Sequence, residues 1–147
     1  MTWNLISFIK SRRKTQSEAP EEKAASSGEL TPLDLAFIGD SVFDLLVRES
    51  LLSGGAKPVK QLHSLAVEKV RAEAQAQAAH RILPLLTEEE SEIFKRGRNA
   101  KVGGIPKSAT PEQYHTATGL EALFGKLYLD GKGERINELF NAINEGE

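Results

Sequence analysis

Three features of the sequence predict an all-α fold. Apolar residues recur every three or four positions in five stretches, Thr, Pro, Gly and acidic residues bound those stretches, and none shows the period of two that a strand requires. No internal repeat is apparent.

The first helix begins at Thr31-Pro32, an N-cap followed by proline at the first helical position. It carries Leu33, Phe37, Ile38, Val42, Leu45 and Leu46 to about Leu52. Gly54-Gly55 stops it, and Pro58 opens a second helix through Leu62, Leu65, Ala66, Val70 and an alanine-rich run to about Leu83. The alanines at 72, 74, 76, 78 and 79 predict close packing against a neighbour. Thr87 followed by Glu88, Glu89 and Glu90 has the pattern of a capping box, so a third helix starts there and fades near Gly97 to Lys101. After a glycine-containing loop, Val102 to Thr110, Pro111 begins a fourth helix bearing Leu120, Leu123, Leu127 and Tyr128 to about Asp130. Gly133 precedes a fifth, with Ile136, Leu139, Phe140 and Ile143.

Residues 15–30 are rich in Ser, Glu and Ala, with almost nothing large and apolar, and read as a linker. The expected organisation is an N-terminal extension over 1–30 and one domain over 31–147. Within the extension, Trp3, Ile6 and Ile9 permit a short helix that docks elsewhere, and a loosely ordered tail is the alternative. Its basic residues, Lys10, Arg12, Arg13 and Lys14, follow the apolar run, whereas an export signal places them before it. Glu18, Glu21 and Glu22 disfavour an organelle transit peptide, and a bacterial cytoplasm is the expected location.

Composition narrows the chemistry. The chain has 147 residues and no cysteine, which removes disulfides, thiolate metal sites and thiol catalysis. Three scattered histidines make no transition-metal cluster, so a metal here must take oxygen ligands. No stretch approaches the roughly 18 to 20 apolar residues of a membrane helix. A formal charge of −2 argues against a generally basic nucleic-acid binder, and local charge becomes the relevant quantity.

Two carboxylates occupy positions where a core-facing helix would not normally carry charge. Asp40 has Ala36, Phe37 and Phe43 as helical neighbours, and Glu121 has Ala117, Thr118, Phe124 and Gly125; both are expected in apolar surroundings. Gly39, Gly119 and Gly125 interrupt the same helices at a cost of about 1 kcal/mol each relative to alanine, which close helix–helix approach would offset. Such an approach would bring the acids together as a site for Mg²⁺, which accepts oxygen ligands and retains waters. From spacing alone the alternative stays open that either acid caps a helix or pairs with Arg or Lys. Asp44, one turn after Asp40, is expected either to support a metal ligand or to pair with a cation.

Between Ile93 and Pro111 the chain carries Lys95, Arg96, Arg98, Lys101 and Lys107 with no acid, interleaved with Asn99 and glycines. Such donors suit phosphate and 2′-hydroxyl contacts; a helix C-terminus decorated with cations is the competing reading, and it explains Lys95 and Arg96 best. Sparse aromatics disfavour a stacking platform for single strands. Among His63, His80 and His115, His63 is the best placed for a role, near the start of the second helix.

Taken in order, Phe37-Ile38-Gly39-Asp40-Ser41-Val42 and Glu121-Ala122-Leu123-Phe124-Gly125-Lys126-Leu127-Tyr128 resemble the two acidic motifs of the ribonuclease III catalytic domain. Arg96-Gly97-Arg98-Asn99-Ala100-Lys101 and the segment from Gln61-Leu62-His63 to Gln75-Ala76 resemble its short Mini branch, and the likeness spans about residues 31–143. The resemblance implies the ribonuclease III endonuclease-domain helical fold and a Mg²⁺-dependent homodimer that cleaves double-stranded RNA lying in a valley across the two subunits. Asp40 and Glu121 would be catalytic and hold the metal, and Arg96, Arg98, Asn99, Lys101 and Lys107 would bind RNA. The family's double-stranded-RNA-binding domain is not expected after the fifth helix, and the short branch suggests the large-subunit (23S) ribosomal RNA precursor as substrate.

The sequence departs from the larger family by carrying Leu33, Ala36 and Thr118 where further acids stand, which leaves the number of metals open. Asp34 does not replace Leu33, because at 100° per residue it points about 120° away from the face shared by 33, 36 and 40. Two other function classes compete: a catalytically silent RNA-binding scaffold of the same fold, against which the retention of both acids argues, and a helical protein-interaction module.

Overall fold

Thr31 opens the first helix with a capping box. Its hydroxyl accepts from the Asp34 amide at 3.1 Å, and the Asp34 carboxylate accepts from the Thr31 amide at 3.0 Å. Asp34 is thereby committed to the helix start and is not available to replace an acid at Leu33. The computed structural model describes residues 30–145, and among them there is no strand. Six α-helices follow in order: α1 (Pro32–Ser53), α2 (Val59–Val70), α3 (Ala72–Ile82), α4 (Glu88–Arg98), α5 (Pro111–Leu129) and α6 (Gly133–Glu145), with a 3-10 turn at Leu83–Leu85 before α4. Thr87 with Glu90 and Thr110 with Gln113 build the same reciprocal cap on α4 and α5. At the other end of α5, Gly131 has a φ of 72°; Lys132 N–H donates to Leu127 O and Gly131 N–H to Tyr128 O, which closes a Schellman cap.

The second predicted helix is in fact two. Arg71 is extended, with φ −66° and ψ 156°, and separates α2 from α3. The break lets α2 pack on α1 while α3 packs on α5, which one straight helix would not allow. Neither glycine nor proline marks the position; the Val70 carbonyl next to the break is satisfied from within α3, by the Gln75 side-chain amide at 2.8 Å.

Helix α5 is the central element, flanked by α1, α3, α4 and α6. It is buried from Thr116 to Gly125 apart from half-buried Glu121. Phe43 of α1 packs edge-on against Phe124 of α5 and Phe140 of α6, at centroid distances of 5.7 and 5.9 Å. Leu120, Leu123, Ile136 and Leu139 complete the centre of the core. Around the periphery, Arg135 of α6 grips Glu90 of α4 through two bonds of 2.9 and 2.8 Å and donates to the Leu85 carbonyl. The Arg135 guanidinium holds the Glu90 carboxyl below the usual carboxylate range.

Glycines set the spacing of the central helices. A Cβ on Gly39 would overlap the Glu121 carbonyl oxygen, and one on Gly125 would overlap the Leu35 carbonyl oxygen, so α1 and α5 cross with backbones in contact. Gly97 of α4 and Gly119 of α5 produce a second close crossing, against Ala122 and Phe94 respectively. The predicted extension lies outside the described residues except for Leu30, which is half-buried against Leu35, Ala36 and Ala122.

Candidate acidic site and basic flank

The α1–α5 crossing is what brings the two acids together. Gly39 abuts the backbone of Glu121, and Asp40 follows Gly39 directly. Glu121 is half-buried, with Ala117, Thr118, Phe124 and Gly125 buried around it as its helical spacing predicts. Burial, reinforced by the negative charge of Asp40, pushes the Glu121 carboxyl up to about 8. Partial burial, and then the charge of Asp44, also raise the Asp40 carboxyl above its ordinary value.

The surroundings of Asp40 differ from the expectation. Ala36 and Phe43 are buried, but Phe37 is 83% exposed and Asp40 lies at the protein surface. The acid therefore borders the core on one side and solvent on the other, which suits a group that must meet an external substrate. Asp44 accepts a hydrogen bond from Arg48 Nε at 3.0 Å, an exposed ion pair along the same helix.

Two of the three positions where the sequence lacks acids are closed, while Leu33 is exposed. Ala36 is buried, and Thr118 is buried with its hydroxyl donating to the Tyr114 carbonyl at 2.9 Å. Among the described residues no group of three His, Asp, Glu or Cys side chains converges to hold a metal. The donor set is thus two carboxylates, and a fit to Mg²⁺ can be judged on their electrostatics. Two hard oxygen donors carrying like charge at the edge of the core, one with its ionisation strongly suppressed, form a pair that a divalent cation would stabilise. Mg²⁺ is commonly bound through one or two carboxylates, with waters and substrate phosphates completing its shell, so the residues fit that ion.

The basic flank lies beside this centre. The last turn of α4 crosses α5 at Thr118 to Ala122, the stretch that contains Glu121. Lys95, Arg96 and Arg98 are exposed on that turn, and Asn99 is its C-cap residue, its N–H donating to the Lys95 carbonyl at 2.9 Å. Arg98 lies over the Phe94 ring at 5.8 Å and donates from Nε to the Asn99 side-chain oxygen at 3.3 Å. Lys101 and Lys107 are exposed on the loop that follows. His63 is exposed on α2, in no contact that assigns it a role.

One polar residue near the centre belongs to a segment that carries the family likeness but has no role predicted from the sequence. Gln75 of α3 is 2% exposed; besides its bond to Val70 O, its side chain hydrogen-bonds the Glu121 carboxylate. A signal existed: Gln75, Ala79 and Ile82 recur at i, i+4 and i+7, which puts an amide on the buried stripe of an otherwise apolar helix face.

An all-helical domain with an acidic pair at a glycine-mediated crossing, flanked by cations, defines a class that comparison makes specific. The ribonuclease III domain model matches residues 33–132. The chain is 49% identical over 113 residues to Mini-ribonuclease 3 of Symbiobacterium thermophilum, covering 77% of this chain and 87% of that one. It is 45% identical over 130 residues to Mini-ribonuclease 3 of Brevibacillus brevis, covering 86% and 97%. A crystal structure of a protein from Fusobacterium nucleatum superposes with a TM-score of 0.73 at 35% identity, over 80% of this chain and 90% of the other. The chain belongs to the ribonuclease III family, within its Mini-ribonuclease 3 group, and is an endoribonuclease. No helix among the described residues is long and apolar enough to cross a membrane.

Proposed function

We propose that this protein is a Mg²⁺-dependent endonuclease of double-stranded RNA that works as a homodimer in the cytoplasm, with the 23S ribosomal RNA precursor as its substrate. The observation that carries the proposal is the convergence of Asp40 and Glu121, whose charges act on each other across the α1–α5 crossing. In this reading both carboxylates are catalytic and hold the cation. When bound there, Mg²⁺ supplies activation of a water and stabilisation of the leaving oxygen of an in-line phosphodiester displacement. Asp40 faces the substrate from the protein surface, while half-buried Glu121 is held at a constant depth by the helix around it. Arg96, Arg98, Asn99, Lys101 and Lys107 bind the backbone of the duplex next to the acids, and Asp44, one turn beyond Asp40 and ion-paired with Arg48, adds negative charge that favours a bound cation.

The homodimer is supported by the outer face of α1. Phe37 is 83% exposed, and Leu33, one turn earlier, is 38% exposed. Two large apolar side chains at i and i+4 beside the acidic site form a natural contact for a second copy, which would bring two acidic centres to one duplex. The ribosomal substrate rests on the family resemblance.

The test is incubation of the purified protein with a labelled RNA duplex in Mg²⁺ and in excess chelator, with Asp40→Asn and Glu121→Gln alongside. Cleavage should require the metal. Each variant should lose several kcal/mol of transition-state stabilisation, about 10³-fold in rate, with RNA affinity retained. Turnover retained in both variants would remove the site assignment, and binding without cleavage by the native protein would move the reading to a scaffold.

A further inference from the structure

We infer that Gln75 is a positioning residue for the endonuclease reaction, its side-chain amide clamping the Glu121 carboxylate to the main chain at the α2–α3 break. The inference rests on reading Glu121 as a catalytic carboxylate. Three observations carry it. Gln75 is 2% exposed on the face of α3 that packs on α5, so its amide has little freedom to reorient. Its Nε2 donates to Val70 O at 2.8 Å, a partner that only the NH₂ end of the amide can serve, and the side chain also hydrogen-bonds Glu121. The remaining atom, Oε1, is buried with no hydrogen-bond partner.

That last observation separates a structural role from a functional one. A buried acceptor without a donor bears its full desolvation penalty, and a methionine or leucine of similar size would shed it. A glutamine kept only to satisfy the Val70 carbonyl would bear that penalty in return for a single bond. A glutamine that must hold a carboxylate in one rotamer is a good choice, because groups that orient metal ligands set how well those ligands work. The break between α2 and α3 makes the clamp possible: the extended backbone at Arg71 leaves the Val70 carbonyl available to take the second amide proton.

The experiment combines a near-isosteric variant with a measurement on the native protein. Gln75→Met loses the bond to Val70 and the unpartnered oxygen together, so its melting temperature should stay within a few degrees of the native value. Its kcat on an RNA duplex should fall about 10- to 100-fold with KM unchanged. In the native protein, the Gln75 side-chain NH₂ resonances should move on Mg²⁺ titration together with the Glu121 backbone amide, and Glu121→Gln should abolish both responses. A folded Gln75→Met enzyme with kcat within twofold of native overturns the inference. If that variant does not fold, the resonances decide: a Glu121 response without one at Gln75 overturns the clamp alone. No response at either residue overturns the Glu121 metal reading and the clamp with it.

Discussion

At the scale of the residue, Glu121 combines burial with a neighbouring negative charge, and both suppress its ionisation. Its carboxyl titrates near 8 in the folded chain against 4.5 for an ordinary glutamate, first because it is buried and then because Asp40 is negative. A carboxyl whose folded value is raised contributes stability that is fully present below pH 4.5 and is lost as pH rises through 8. In chelator, the stability of the native protein should fall across that window while Glu121→Gln, which cannot ionise, escapes the loss. The variant should be the more stable form at pH 8 by on the order of 3 kcal/mol, at about 1.4 kcal/mol per pKa unit with part of the effect screened by solvent. Urea denaturation at pH 5 and pH 8 checks it; parallel curves for the two proteins would show that Glu121 ionises normally. The same replacement should stop cleavage, so one residue trades stability for activity.

At the scale of the element, the decisive contact is between backbones. Because α1 and α5 touch at Gly39 and Gly125, a single methyl group at either position must push the helices apart and carry Asp40 away from Glu121. Gly125→Ala should destabilise the protein by about 3 kcal/mol or more, whereas Gly104→Ala, whose added methyl meets nothing within 4 Å, should stay within about 0.5 kcal/mol of native. Denaturant melts of the pair provide the check. The end of α4 makes a different demand. Its cations are exposed, so their contribution to RNA binding is electrostatic and additive. Arg98→Ala and Lys101→Ala should each weaken binding to any duplex and reduce the slope of log affinity against log salt by roughly 1. Unchanged affinity would leave these residues as decoration of a helix terminus; the stacking of Arg98 on Phe94 makes Lys101 the cleaner of the two tests.

For the whole molecule, one feature that a single folded chain leaves uncovered beside the acids is the apolar pair Leu33 and Phe37 on α1. The core is complete without Phe37, yet this ring stands almost fully in solvent beside the acidic site. Sedimentation at micromolar concentration should show a species of twice 16.1 kDa. Phe37→Ala should raise the dimer dissociation constant about 30-fold, the equivalent of about 2 kcal/mol for a central aromatic contact. A native protein that sediments as a monomer would leave each acidic centre to act alone and would remove the two-centre reading of cleavage.

The sequence by itself determined the helical class, the starts of α1, α4 and α5, and the residues of the two acidic motifs. Caps and periodicity are local: Thr31, Thr87 and Thr110 meet amides three residues away, and an apolar stripe needs only its own helix to be visible. The sequence also pointed to close packing at Gly39, Gly119 and Gly125, since a glycine inside a helix has a cost that must be offset somewhere. Only the tertiary structure decided where. The break at Arg71 carries no local signal, because it arises from two halves of one apolar run seeking different neighbours, α1 and α5. The exposure of Phe37 was equally hidden, since a stripe does not say whether another element covers it. Gln75 acquires its meaning from Glu121, a residue 46 positions further along the chain. Burial, mutual charge and shared hydrogen bonds are properties of residues distant in sequence, and they exist only once the helices have packed.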